Sequence, residues 1–321
     1  MTDIEVRAVL NQIFASTEVE VNPAGYVSFK GPTREYWQLD PELMRYVDTL
    51  DTEQDPRQFH RSRANVDFCL EDSFSGLFLS RCMLHSDNTD WVLIHIDDHA
   101  DMMPSAMIRH RDGCLFDPGA DRYFNCRADE HWLDSIASGT VNIGNYLTPL
   151  LTQIAGKFSC HIRHLRPVPI RGEADRLYSV EVKGDSHAIF GDQHFASLSI
   201  NRQALSTSTY LQTSDPRQCC SDMPNGKLAV HIDLDYFVND FNGNPGNAPR
   251  SLSRNDYNYV LKNMDDVFEQ IDQSALPVDR WVVATSPGFC AARHWPWLLE
   301  SLGTRIKTAS GKRTMELPWM H

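Results

Sequence analysis

Apolar positions along the chain mark out a series of helices and strands. Val6, Val9, Leu10, Ile13 and Phe14 recur at helical spacing and predict a helix over 3–15, with Thr2 placed to cap it. An irregular stretch with Pro23, Gly25, Gly31 and Pro32 follows, and PELMRYVDTL (41–50) predicts a short helix with Pro41 in its first turn. From residue 66 the pattern becomes regular. VDFCL (66–70) reads as a strand and SGLFLSRCML (75–84) as a helix, while WVLIHID (91–97) is apolar enough for a strand covered on both faces. Residues 98–128, rich in Asp, Gly, Pro and Arg, read as an irregular loop. Helical patterns return at DEHWLDSIA (129–137) and NYLTPLLTQIA (145–155). Strands are predicted at CHIRHL (160–165), YSVEV (178–182), FASLSI (195–200), KLAVHID (227–233) and RWVVATS (280–286). A long helix over 254–272 puts Val260, Leu261, Met264, Val267, Phe268 and Ile271 on one side. Another fits ARHWPWLLESLG (292–303), with Gly303 placed to end it, and the Asn-, Gly-, Pro- and Ser-rich segment 239–253 reads as a surface loop.

Apolar strands alternating with helices argue for an α/β fold with a mostly parallel sheet. The chain has 321 residues, of which 41% are hydrophobic, enough for one large core, and no linker demands two domains. A single domain over 1–321 is expected, with 1–60 as an N-terminal extension. Trp281, Trp295 and Trp297 read as core. The net charge of -13 argues against a nucleic-acid binder, which needs a basic face. The eight cysteines, including the adjacent Cys219 and Cys220, show no CxxC spacing and read as reduced thiols. The N-terminus lacks signal-peptide features, and no run reaches the ~18 apolar residues of a membrane span. A soluble, cytoplasmic protein without a membrane partner is the expectation.

Two of the apolar strands run into acid. IHIDDHAD (94–101) closes with Asp97, Asp98, His99 and Asp101, and VHIDLD (230–235) closes with Asp233 and Asp235. In open parallel sheets, ligands bind outside the C-terminal strand ends. If the two strands are neighbours, Asp97, His99, Asp101, Asp233 and Asp235 aim at one volume by their i, i+2 spacing. Carboxylates so crowded repel unless a cation joins them. Oxygen donors with an imidazole suit Mn(II), Fe(II) or Zn(II). His95 and His231 share the faces of Asp97 and Asp233, either to orient the carboxylates or simply as buried histidines bonded to backbone.

DDHAD (97–101) with DLD (233–235) resembles the metal signature of the ureohydrolases, the arginase and agmatinase superfamily. LEDS (70–73), LIHIDDHADM (93–102), VNIGNYLTPLL (141–151) and HIDLDYF (231–237) resemble, in order, its peptide arginase branch, over roughly residues 66–290. The resemblance implies a three-layer α/β/α fold and two Mn(II) ions that activate water to release urea from arginine side chains of a precursor peptide. It implies that Asp97, Asp101 and Asp233 contact one metal and that Asp97, His99, Asp233 and Asp235 contact the other, with Asp101 also moving a proton.

The chain departs from the family at three places. Ser73 stands where the family carries a ligand His, which leaves a weakened first site, one rebuilt by water, or one filled by His85. ATSPGF (284–289) lacks the Glu that grips guanidinium in arginases; Asp98, Glu71 or Asp72 are the substitutes. MMPS (102–105) replaces the segment that holds a free amino acid, which favours a peptide. Asn145 either lines the pocket or caps a helix, and His110 either shuttles protons or is a solvated loop residue. A zinc deacetylase or amidohydrolase of the same broad fold, and a non-catalytic metal- or peptide-binding relative, are the alternative readings.

Overall fold

A computed structural model describes residues 17–21, 27–32, 35–48, 50, 55–85, 89–168, 175–186, 194–202, 207–244, 246–311 and 314–319. The helix expected over 3–15 lies outside them. In chain order the strands are β1 (Thr17–Val21), β2 (Val27–Pro32), β3 (His60–Arg63), β4 (Val66–Cys69), β5 (Trp91–Ile96), β6 (Ile108–Arg109) and β7 (Leu115–Asp117). They continue as β8 (Arg122–Phe124), β9 (Cys160–Leu165), β10 (Arg176–Ser186), β11 (His194–Asn201), β12 (Thr209–Thr213), β13 (Lys227–Asp233) and β14 (Val278–Ala284). The helices are α1 (Leu43–Val47), α2 (Ser75–Leu84), α3 (Asp129–Ser138), α4 (Leu147–Ile154), α5 (Pro216–Cys220), α6 (Arg254–Gln273) and α7 (Trp295–Ala309).

β3 to β14 form one mixed sheet of order β3-β4-β14-β13-β5-β9-β12-β10-β11-β6-β7-β8. Its centre, from β4 to β12, is parallel, and both flanks are antiparallel. The apolar strands are apolar because they are covered twice. Along β5, Val92, Ile94 and Ile96 enter a cluster with residues of α6 and α7, whereas Trp91 and Leu93 enter another with residues of α2 and α4. Helices therefore cover both faces of the sheet. After β5 the chain moves to β9 and β12 on one side, and after β13 it moves to β14 on the other. The gap between β5 and β13 is thus a topological switch point, where such sheets open a crevice.

Three expectations change. The stretch 98–128 is not wholly irregular: it holds β6, β7 and β8, which extend the sheet. Only Leu115 and Phe124 anchor β7 and β8 in the core, too few to raise a pattern above the turn residues around them. β12 (TYLQT) gave no strand signal because its buried polar groups rely on hydrogen bonds instead of apolarity. Thr213 Oγ1 donates to Asp175 at 2.7 Å, and Tyr210 Oη donates to Gln212 Oε1 at 3.3 Å. Gly303 does not end its helix, since α7 runs on to Ala309. A Cβ there would come within 2.5 Å of Leu317 Cδ1, so this glycine serves close packing.

The N-terminal part contributes to the same core. Leu43, Val47 and Phe59 are buried in the cluster with α6 and α7, and Asp40 accepts the N–H of Ala292 at 2.6 Å. A capping box of Ser253 and Asp256 starts α6, whose buried stripe is Val260, Met264, Val267, Phe268 and Ile271. Among the described residues no helix is long and apolar enough to cross a membrane.

Candidate metal centre

β5 and β13 are parallel neighbours, with His95 opposite His231 and Ile96 opposite Ile232. Their acidic ends therefore meet. Each strand ends in the same local device: Asp97 Oδ1 accepts the N–H of His99 at 2.6 Å, and Asp233 Oδ1 accepts the N–H of Asp235 at 3.1 Å. These Asx-type bonds curl the chain back, so the next ligand-type residue faces the first. Asp235 then ties the two clusters together. Its Oδ1 accepts the N–H of Asp98 at 3.3 Å, and its Oδ2 lies 3.0 Å from His99 Nδ1. Asp101 has φ +52, a left-handed conformation, and its carbonyl accepts the N–H of Leu147 at the start of α4.

Two more strand ends complete the site. Beyond β4, Asp72 converges on the same point. Asp72, Asp97 and Asp233 offer ligand atoms all within 4.8 Å of one another, and so do Asp97, His99 and Asp235. Asp97 belongs to both groups. Beyond β14, the Ser286 hydroxyl donates to Asp233 Oδ2 from a left-handed residue, φ +47. A third group, His95, Asp97 and His231, meets the same distance criterion. Its ring nitrogens are already engaged. His231 Nε2 lies 2.7 Å from Asp72 Oδ1, the two Nδ1 atoms are 2.9 Å apart, and His95 Nε2 lies 3.1 Å from the His99 carbonyl. These histidines orient the acids. His164 does the same from β9, with Nε2 donating to the Asp97 carbonyl at 3.1 Å and Nδ1 at 2.7 Å from Tyr210 Oη.

The electrostatics are those of anions crowded out of water. Burial, then neighbouring carboxylates, holds Asp97, Asp101 and Asp233 well above the usual carboxylate range. Burial also raises Asp235, against the pull of His99. For Asp72 burial pushes up, but His231 and the Ser75 hydroxyl outweigh it and the group is lowered. Burial pushes His95 well below the usual imidazole value and His164 down to about 3. Burial also opposes the charged form of His99, yet its bond to Asp235 wins and raises it. Asp97 Oδ2 is buried and meets no hydrogen-bond donor, and Asp101 Oδ2, also buried, lies 3.5 Å from His95 Nε2. A buried carboxylate oxygen without a donor costs several kcal/mol, roughly, unless a cation supplies the missing charge. The donor set of carboxylates and one available imidazole fits a divalent metal of the Mg, Mn, Fe or Zn kind.

Above these residues lies a cavity of about 570 Å³, within the usual range of small-molecule sites. Its floor is Asp72, Asp97, Asp101, Asp233, Asp235 and His99. Its walls include Met102, Met103, Ile143, Ile200 and Phe289, and the Phe289 ring stands edge-on to His99 at 5.3 Å.

Other residues singled out in the sequence lie elsewhere. Glu71 does not line the cavity; its Oε1 accepts from Tyr36 Oη at 3.0 Å and Trp37 Nε1 at 2.6 Å. Asp98 is engaged by Arg166 at 3.3 Å and Asn239 at 3.1 Å. Asn145 spends both ends of its amide on its own loop, accepting from the Asn142 N–H and donating to the Thr140 carbonyl. Its neighbours Asn142, Ile143 and Gly144 face the cavity instead. His110 lines a separate cavity with Arg109, Arg111 and His194, away from the carboxylates. His85 cannot stand in for a ligand at position 73. It bonds the Arg81 carbonyl just past α2, and those ten helical residues span about 15 Å. Asp72 is expected at the substrate and instead joins the carboxylates, and His164, Tyr210 and Ser286 carry no signal in the sequence.

The chain matches no protein-family model, and no curated protein matches it.

Proposed function

We propose that this chain is a manganese-dependent ureohydrolase with an arginase-like three-layer fold, converting arginine side chains of a peptide to ornithine with release of urea. The observation that carries this reading is the sharing of Asp97 between two ligand groups at the floor of one cavity. In this reading Asp97 would serve both of two Mn(II) ions, with Asp72, Asp101 and Asp233 available to hold one and His99 and Asp235 the other. A bound metal pair supplies Lewis acidity and acidifies a water enough to attack at neutral pH.

The chain's own residues supply the rest. The anionic floor receives the cationic guanidinium, and Met102, Met103, Ile143 and Phe289 enclose the aliphatic stem. Asp101, which lines the cavity and whose burial holds its carboxyl well above the usual range, is suited to take a proton and pass it to the departing amine. Ser286 and His164 hold Asp233 and Asp97 in place. His99 is the one basic residue lining the cavity among the described residues, so no Lys or Arg there pairs with the carboxylate of a free amino acid. That favours arginine within a peptide.

The test is incubation with Mn(II) and arginine-containing peptides, following peptide mass and urea together. Loss of CH2N2 per arginine with an equal yield of urea is expected. Metal-loaded protein that turns over no guanidine would refute the reading. It would favour the non-catalytic metal- or peptide-binding alternative.

A further inference from the structure

We propose that the two halves of the metal site differ in chemistry: Asp72 makes the first half all-oxygen, and only the second half contains nitrogen. This rests on the metal-hydrolase reading above. The first half comprises Asp72, Asp97, Asp101 and Asp233, and the second comprises Asp97, His99 and Asp235. Position 73, where the ureohydrolase pattern has a nitrogen ligand, is Ser, and its hydroxyl is buried with no hydrogen-bond partner. One residue earlier, the Asp72 carboxylate stands within ligand distance of Asp97 and Asp233. Both bonds that orient it, from Ser75 at 2.6 Å and His231 at 2.7 Å, fall on Oδ1, and Oδ2 carries neither. Asp97 Oδ2 is buried with no donor. Asp72, Asp97 and Asp233 thus present oxygens within 4.8 Å of one another.

The nearby imidazoles do not supply nitrogen to that half. Both ring nitrogens of His95 and of His231 are committed to each other, to Asp72 and to the His99 carbonyl. Among the described residues His99 is the sole histidine lining the cavity, and it sits at 3.0 Å from Asp235, on the other half. Hard, oxygen-only sites take Mg(II), Mn(II) or Ca(II). An imidazole shifts preference towards Zn(II) and Co(II). Mn(II) alone therefore fills both halves, whereas Zn(II) in competition with Mg(II) takes only the second.

The experiment uses the full chain stripped with chelator. It is dialysed to equilibrium against buffered, limiting Zn(II) with millimolar Mg(II), and zinc is counted per chain. About one zinc is expected in the wild type, about two in Asp72→His, and none in His99→Asn, with the fold followed by circular dichroism. Two zincs in the wild type, or one retained in His99→Asn, would overturn the division. The wild-type count needs no substitution, so a poorly folding variant does not weaken it. No guanidine turnover is involved: two zincs would overturn this division and leave the hydrolase reading standing. A wild-type chain that held no zinc would remove both.

Discussion

Asp97 is the residue on which the account turns. Its Oδ1 takes the His99 N–H, its carbonyl takes His164, and its Oδ2 is left without a donor. The acids around it set a pH dependence whose sign can be worked out. Asp97, Asp101, Asp233 and Asp235 have folded-state values raised above their unfolded ones. The folded chain then holds more protons, and the stability they contribute is lost as pH rises through the raised values. The lowered Asp72 acts only below the ordinary carboxylate range. His95 and His164, both depressed, act oppositely, but only below the ordinary imidazole value of about 6.5. His99, raised by Asp235 against the effect of burial, acts in the same sense as the raised carboxylates above that value, so metal-free protein in chelator should lose stability to urea as pH rises past about 6.5. Asp97→Asn should flatten that slope. Mn(II) should reverse it, adding about 2.7 kcal/mol for a site at a hundredfold excess over its Kd. Stability that rises with pH in chelator would contradict the description of the site.

Much of this site could be read at the residue level. The i, i+2 spacing after an apolar strand marked Asp97, His99, Asp101, Asp233 and Asp235, because spacing of that kind survives in one dimension. Asp72 is visible as an acid, but its meeting with Asp97 depends on β4 lying three strands from β5, which no local pattern encodes. Asp98 and Glu71 read in the sequence as guanidinium contacts, but Arg166 and the Tyr36–Trp37 pair hold them.

At the scale of elements, the long apolar strands and the amphipathic α6 were legible because burial dictates their composition. β12 and the β6–β8 arm were not, since hydrogen bonding and two or three buried side chains hold them. One contact between elements governs the rim of the cavity. Residues 35–38 cross the loop after β14, where Gly288 has φ +80 and a Cβ would lie 2.5 Å from the Tyr36 carbonyl oxygen. Tyr36 also packs near Phe289, with ring centres 6.2 Å apart. Backbone cannot yield as a side-chain tip does. Gly288→Ala should therefore cost at least about 2 kcal/mol in denaturant unfolding and change the Trp37 fluorescence. Unchanged stability would mean that this crossing does not hold the rim.

Across the whole molecule, the sheet's topology explains why acid collects where it does. The chain leaves β5 in one direction and β13 in the other, which opens a crevice between them. Helices on both faces fix those strands, so charges at their ends are held together against their repulsion. The central claim is that this arrangement holds two metal ions through one shared carboxylate. Electron paramagnetic resonance of the full chain with two equivalents of Mn(II), alongside metal counting, tests it most directly. The account predicts two Mn(II) per chain with an exchange-coupled signal, and loss of that coupled signal in Asp97→Asn. A single uncoupled Mn(II), or a coupled pair that survives Asp97→Asn, would contradict it.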